Sequence, residues 1–282
     1  MRGLQQFIAD FLQFDFLQHA LLSGLLASVV CGVVGTFVVV KRISYIAGGI
    51  SHTVLGGMGA AMYFQTIYQW KWLSPIYGAV AAALISALII GMVSLRAKQR
   101  EDTVIGALWA VGMATGILFI SRTPAYSTDL MSYLFGNILL VSSDDLWLLV
   151  GLDCLVLTCG FVFYRQFVAV CFDEEFARLR GVKVEFYYLF LLCLTSLTVV
   201  LLVTVVGIVM VIAMLTLPTA IAGFFSKDLR QMMLISVILC AIFTTSGLVL
   251  SYTPNFPTGA ATILIAGATY LIVIILRSLA RH

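Results

Sequence analysis

Long, nearly uncharged apolar segments recur from one end of this sequence to the other, and they limit its fold more than any other feature. Nine can be marked: 17–40, 45–65, 75–95, 103–121, 145–164, 186–206, 207–225, 231–250 and 259–276. An α-helix needs about 20 apolar residues to cross the ~30 Å hydrocarbon core of a bilayer. Lipid offers no hydrogen-bond partner to an exposed backbone amide. We therefore predict an all-α, polytopic membrane protein with nine transmembrane helices, or eight if 207–225 only dips into the membrane.

The amino-acid composition also favours a membrane protein over a soluble domain or a nucleic-acid-binding protein. Only 10% of the residues are charged and 62% are hydrophobic, whereas soluble domains carry about 25% charged residues. The net charge of +3 is small and the basic residues are spread along the chain, so no nucleic-acid partner is implied. No repeat or hydrophilic domain stands out, which predicts a single membrane domain over 1–282. The first 16 residues lack the basic region and cleavage site of a cleaved signal peptide.

The basic residues predict how the chain is oriented. All 16 lysines and arginines except Arg2, Lys71 and Arg122 fall in alternate connections between the apolar segments. Basic residues concentrate on the cytoplasmic side of membrane proteins. This predicts a cytoplasmic C-terminus and an outer N-terminus. An odd number of spans agrees with that orientation.

The second apolar segment contains a histidine on a row of small residues. Gly48, His52, Gly56 and Ala60 follow one another at four-residue spacing and share one helix face. Small rows are where membrane helices pack closely, so His52 is expected to point into the protein. It is either a structural histidine bonded to a neighbouring helix or a metal ligand, since neutral imidazole readily binds zinc and related ions. Ser51 beside it offers a hydroxyl.

A charged stretch, CFDEEFARLRGVK at 171–183, interrupts the apolar pattern. Acidic residues occupy its first turn and basic residues its last, and Gly181 follows as a natural end, an order that suits a short helix. The stretch is predicted to be a water-facing helix on the basic side of the membrane. It is either a solvated connector or a docking element for a soluble partner, because Phe176 and Leu179 add apolar surface among the charges.

Three further residues stand out in or near apolar segments. Asp129 precedes the fifth segment and is a candidate for the outer mouth of a path. Asp153 lies about two turns into that segment, where a carboxylate needs a partner or a wet cavity; structural and functional roles are equally open. Pro218 removes a backbone donor and clashes with the preceding turn, so it is predicted to act as a structural pivot. Gly48 and Gly56 are predicted to be structural pivots as well.

Together these motifs resemble the membrane-spanning permeases of ABC importers for zinc, manganese or iron, the ABC-3 or zinc-uptake permease family. The resemblance covers nearly the whole chain. It is carried by GTFVVVKRISYIAGGISHTVLGG (35–57), DLMSYLFGNILLVSSDDL (129–146), FDEEFARLRGV (172–182), VGIVMVIAMLTLPTAIA (206–222) and SGLVLSYTPNFPTGA (246–260).

The resemblance implies a homodimeric permease in a bacterial inner membrane, bound to two cytoplasmic ABC ATPase subunits and supplied by an extracytoplasmic metal-binding protein. Its cargo would be a divalent metal ion, and ATP would bind the partner subunits; this chain has no GxxxxGK[ST] loop of its own. The coupling segment at 172–182 would contact the ATPase, through Phe172, Asp173, Glu174, Arg178 and Gly181.

In the same family pattern, a histidine at the position of His52 faces the permeation path. This sequence departs from the pattern one turn earlier, where Gly48 replaces the family's aspartate, and again at Asn137, where the family often has aspartate. Imidazole without carboxylate suits zinc better than manganese, which prefers oxygen ligands. This departure from the family pattern favours zinc, with manganese or iron as alternatives.

Two rival functions come from other classes. An ion-coupled secondary transporter would use His52 and Asp153 as a proton or ion relay and would need no ATPase. An intramembrane enzyme ranks lower, because the sequence has no HExxH pair and no paired carboxylates at catalytic spacing. A vitamin or siderophore permease of related architecture is a milder rival.

Overall fold

The computed structural model describes residues 10–11, 13–97, 101–123, 136, 141–252 and 256–279, with the backbone alone at 96, 97 and 101. The described residues contain α-helices and no β-strand, which confirms the predicted fold class. The helices are α1 Asp15–Val40, α2 Ser44–Ile67, α3 Pro75–Met92, α4 Glu101–Ser121, α5 Ser143–Val162, α6 Tyr164–Phe172, α7 Glu174–Leu179, α8 Val184–Val206, α9 Ile208–Phe225, α10 Leu229–Tyr252 and α11 Thr258–Leu279. A π-helical turn, Val93–Ala97, extends α3.

Eight of the described helices are long and apolar enough to cross a membrane, so the chain is a multi-pass membrane protein. They are α1, α3, α4, α5, α8, α9, α10 and α11. The segment that we expected to be the marginal one, 207–225, is among them as α9. The helix outside the group is α2, which has 24 residues and a length of about 36 Å but is rich in glycine and polar residues. Which side the C-terminus occupies stays a prediction.

The helices group into two compact units. The first contains Met1–Val39, Met131–Val162 and Leu202–His282, and the second contains Val40–Leu130 and Phe163–Leu201. Both units therefore combine segments that are far apart in the sequence. The prediction that residues 1–282 act as one permease domain stays a prediction.

In the second unit, α2 packs against α3 and α4 through glycines. A Cβ atom built on Gly57 of α2 would collide with the carbonyl oxygen of Gly78 in α3, and the reverse substitution meets the same obstacle. On the α4 side, a Cβ atom on Gly56 would lie 2.8 Å from the carbonyl oxygen of Gly112. Glycine at these positions lets the backbones touch, so neighbouring helices cover much of α2.

In the first unit, Pro218 interrupts the hydrogen-bond ladder of α9. Proline has no N–H to donate to the carbonyl four residues earlier, which here belongs to Met214. The thiol of Cys240 in α10 donates to that carbonyl at 3.5 Å. Gly35 of α1 lies directly against the carbonyl oxygen of Leu215. Neighbouring helices thus close around the proline turn, while its role as a pivot stays a prediction.

Candidate functional site

The imidazole of His52 is buried in the second unit against the indole of Trp109. The two rings are stacked, with centroids 4.2 Å apart and planes 9° apart. Only 8% of His52 is exposed, and no described residue forms a hydrogen bond with its Nδ1 atom. The structure therefore holds a buried ring nitrogen that has no partner within the described chain.

The small residues of α2 explain why α4 comes close enough for this stack. The Thr53 hydroxyl donates to the carbonyl of Gly49 at 2.8 Å and reaches the carbonyl of Leu108 in α4 at 3.3 Å. A Cβ atom on Gly112 would lie 2.6 Å from Cα of Thr53. Trp109 lies one helical turn before Gly112, so the close backbone approach brings its indole onto the imidazole.

The other residues predicted near His52 offer no free side-chain ligand for a metal ion. Ser51 is fully buried, and its hydroxyl donates to the carbonyl of Ala47 at 2.7 Å within α2. Gly48 is buried one turn before His52 and contributes no side chain. Within the described residues, no three His, Cys, Asp or Glu side chains come together as a metal site. His52 is therefore the principal ligand candidate on this helix.

The structure describes one of the two candidate carboxylates, Asp153. Asp153 lies in α5, in the first unit, and is 6% exposed. Its Oδ1 atom has no hydrogen-bond partner among the described residues. Asp129 lies outside the described residues. Their predicted roles in a path, and those of Gly48 and Gly56 as pivots, stay predictions.

The charged stretch forms α7, a short helix closed at both ends. Asp173 is its N-cap, and the Oδ1 atom accepts a hydrogen bond from the backbone N–H of Phe176 at 2.9 Å. At the other end Gly181 has φ +78° and its N–H bonds to the carbonyl of Arg178 at 3.0 Å, while Val182 N–H bonds to the carbonyl of Ala177. This pair of bonds is a Schellman motif. The predicted helix and its glycine end are confirmed.

An apolar patch formed by α7 and by Phe172, the last residue of α6, is exposed. Phe172, Phe176 and Leu179 are 67%, 51% and 87% exposed, whereas Ala177 is fully buried. The Arg180 guanidinium lies over the Phe176 ring at 5.0 Å from its centroid. Exposed apolar side chains among charges are typical of a protein contact surface. The contact of this patch with an ATPase stays a prediction.

Sequence reasoning missed two residues of these sites. Trp109 lies in an apolar run, where nothing in the sequence distinguishes a stacked indole from one that faces lipid. Lys41 entered the sequence analysis only as one of the basic residues that set the orientation. In the structure its ammonium donates to the carbonyl of Val170 at 2.9 Å and forms an ion pair with Glu174.

Comparison with known proteins gives a consistent result. A sequence model described as the ABC 3 transport family matches residues 13–277. A probable metal transport system membrane protein of Chlamydia pneumoniae is 41% identical over 267 residues, covering 95% of this chain and 91% of the relative. A protein named manganese import system permease protein ScaB, of Streptococcus gordonii, is 32% identical over 269 residues, covering 95% and 94%.

The fold is also similar to a solved structure. A chain of the structure described as PsaBC from Streptococcus pneumoniae in complex with Fab superimposes with a TM-score of 0.84. The two sequences are 32% identical, and the alignment covers 95% of this chain and 94% of that chain. The similarity extends over almost all of both proteins, so it concerns the whole fold.

Proposed function

The chain belongs to the ABC 3 transport family as the membrane-spanning permease of an ABC importer for metal ions, and on that premise we propose that it carries a divalent transition metal ion past His52. The observation that carries the proposal is the buried Nδ1 atom without a partner. An unsatisfied buried polar group costs about 1–3 kcal/mol, and a passing metal ion would satisfy it. A path with one strong ligand on this helix binds weakly enough to release its ion, as conduction requires.

Zinc is the ion that the ligand chemistry supports best. Imidazole suits zinc, whereas manganese prefers carboxylate and other oxygen ligands. Gly48 supplies no carboxylate beside His52, and the nearest hydroxyl, on Ser51, already donates to a backbone carbonyl. Manganese is the second candidate, and it is supported by the manganese import permease from Streptococcus gordonii to which the chain is similar.

The transport cycle that we propose needs other proteins. Two copies of this chain would enclose the path, cytoplasmic ATPase subunits would bind the apolar patch on α7, and an extracytoplasmic binding protein would deliver the metal. The C-terminus would then lie in the cytoplasm. This chain would bind no resident cofactor, and ATP would be hydrolysed by the ATPase subunits. The exposed Phe172 and Leu179 beside the capped turn of α7 support such a contact.

Uptake by the full complex in proteoliposomes tests the assignment of His52. Radioactive zinc and manganese would be compared in the wild type, in His52→Ala and in His19→Ala, a control histidine in α1. We expect uptake to be lost in His52→Ala and kept in His19→Ala, with zinc competing more strongly than manganese. Equal uptake in the two variants would remove His52 from the path. Uptake by the permease without its ATPase would favour the ion-coupled transporter.

A further inference from the structure

We propose that Lys41 is a positioning residue that transmits movement of α7 to α2, the helix that carries His52. The inference deepens the proposed function, because it rests on α7 being the element that an ATPase moves. Lys41 lies between α1 and α2, three residues before Ser44 begins α2. Its ammonium therefore links the start of the candidate path helix to the coupling segment.

The ammonium of Lys41 contacts three different helices of the second unit. It donates to the carbonyl of Val170 in α6 at 2.9 Å and pairs with the Glu174 carboxylate in the first turn of α7. It also lies over the ring of Tyr188 in α8, 5.5 Å from the centroid. One side chain thus connects α6, α7 and α8 to the turn that precedes α2.

Burial makes these contacts specific. The side chain of Lys41 is only 16% exposed, whereas that of Glu174 is 37% exposed. A lysine side chain without specific partners extends its ammonium into water. A charge taken out of water needs partners that offset its desolvation. Breaking the pair would leave the more buried partner, Lys41, without its counter-charge. The lysine must therefore follow its partners if α7 moves.

The elements on both sides of Lys41 are rigid enough to transmit a displacement. α7 is capped by Asp173 and by the Schellman motif at Gly181, so it moves as one body. After Lys41, Arg42 adopts the left-handed conformation with φ +63°, which makes the turn into α2 tight. A displacement of Lys41 is then passed to α2 rather than absorbed by a flexible loop.

A second contact extends the connection to α3. The Tyr188 hydroxyl, whose ring lies beneath the ammonium, forms a hydrogen bond of 3.2 Å with the hydroxyl of Ser94. Ser94 lies in the π-helical turn Val93–Ala97 that follows α3. Single π-helical turns are frequent at functional sites. α3 also touches α2 through Gly57 and Gly78, so both routes from α7 end at the same helix.

An optical experiment on the assembled complex tests the proposal without any cargo. The other three tryptophans of the chain, Trp70, Trp72 and Trp147, are replaced by phenylalanine, and the complex is assembled with ATPase subunits free of tryptophan, so that the emission of Trp109 reports on its stack with His52. Emission is compared between the nucleotide-free complex and the complex trapped with ATP and vanadate. The variants are Lys41→Met, Glu174→Gln and, as a control lysine that is exposed in another connection, Lys227→Met.

We expect the nucleotide to change the Trp109 emission equally in the wild-type complex and in the Lys227→Met control complex. In Lys41→Met the change should fall about ten-fold while the ATPase subunits still bind and hydrolyse ATP, because bonds to charged groups are the stronger ones. Glu174→Gln should lose part of the change.

Three results would overturn the proposal. The first is a wild-type complex whose Trp109 emission does not respond to ATP, and the second is a full response in an assembled Lys41→Met complex. If Lys41→Met does not assemble, Glu174→Gln decides, and an unchanged response there is the third. A complex that shows the optical response but carries neither zinc nor manganese would refute the proposed function and leave the role of Lys41 supported.

Discussion

Two glycines of α4 should respond in opposite directions to the same substitution. A Cβ atom on Gly112 would lie 2.6 Å from Cα of Thr53 in α2 and 3.1 Å from its Cβ and Cγ2 atoms. The obstacle is backbone, which cannot rotate away. Six residues earlier on the same helix, a Cβ atom on Gly106 would have no atom within 4 Å. Gly112→Ala and Gly106→Ala therefore form a matched pair.

The magnitudes follow from two effects. Replacing glycine by alanine in a helix stabilises the fold by about 0.5–1 kcal/mol, and this gain applies to both variants. Overpacking of a close contact costs about 1–3 kcal/mol, and this cost applies to Gly112→Ala alone. The difference in unfolding free energy between the two variants should therefore be about 1–3 kcal/mol, with Gly106→Ala above the wild type.

The collision should also affect the candidate site. Trp109 lies one turn from Gly112, so pushing α4 away from α2 separates the indole from the imidazole of His52. We expect Gly112→Ala to lower metal uptake by the assembled complex and Gly106→Ala to leave it unchanged. Unfolding would be followed by denaturant titration in mixed micelles, and uptake in proteoliposomes.

Two outcomes would contradict different steps of this reasoning. If Gly112→Ala is as stable as Gly106→Ala, the backbones of α2 and α4 are not as close at Gly112 as the structure places them. If it is less stable but transports metal normally, the approach is right and the stack between Trp109 and His52 has no part in transport.

Three further predictions concern single side chains. Trp109→Leu should weaken zinc binding about two- to ten-fold in titrations of the purified permease, because a stacked aromatic pair contributes ~0.5–1.5 kcal/mol, whereas the exposed Trp147→Leu should not. Burial raises the pKa of the Cys171 thiol to about 12, so mass spectrometry at pH 8 should find it alkylated about a thousand-fold more slowly in the folded than in the unfolded protein. Asp173→Ala removes the N-cap of α7, worth about 1 kcal/mol, and should weaken ATPase binding about five-fold in a pull-down titration, with Asp173→Asn close to the wild type.

Local signals allowed much of the fold to be predicted from sequence. The ends of α7 are encoded within a few residues, by an aspartate that can cap the first turn and by a glycine that can adopt positive φ. The start of α5 is also marked by local residues, because Ser142 and Asp145 exchange hydrogen bonds at 2.7–3.2 Å. Apolar length placed the long helices, because crossing a bilayer requires it.

Contacts between distant segments could not be predicted in this way. Lys41 and Glu174 are 133 residues apart, and no periodicity links a basic residue after one helix to an acidic residue in another. His52 could be placed on a face of small residues, but the partner across that face depends on which helix packs there. Only the fold identifies Trp109 among the apolar residues of α4.

The composition of α2 follows from its position in the second unit. Glycines at 56 and 57 bring α4 and α3 into contact with it, and they replace the large apolar residues that a lipid-facing helix needs. A helix covered by its neighbours does not require a lipid-compatible surface, and such cover allows a buried imidazole to stay away from hydrocarbon. Low hydropathy in an otherwise apolar chain is therefore a useful signal for the helix that carries the site. Replacing these glycines by leucine would raise the apolar content of α2 and, by separating it from α3 and α4, abolish the geometry around His52.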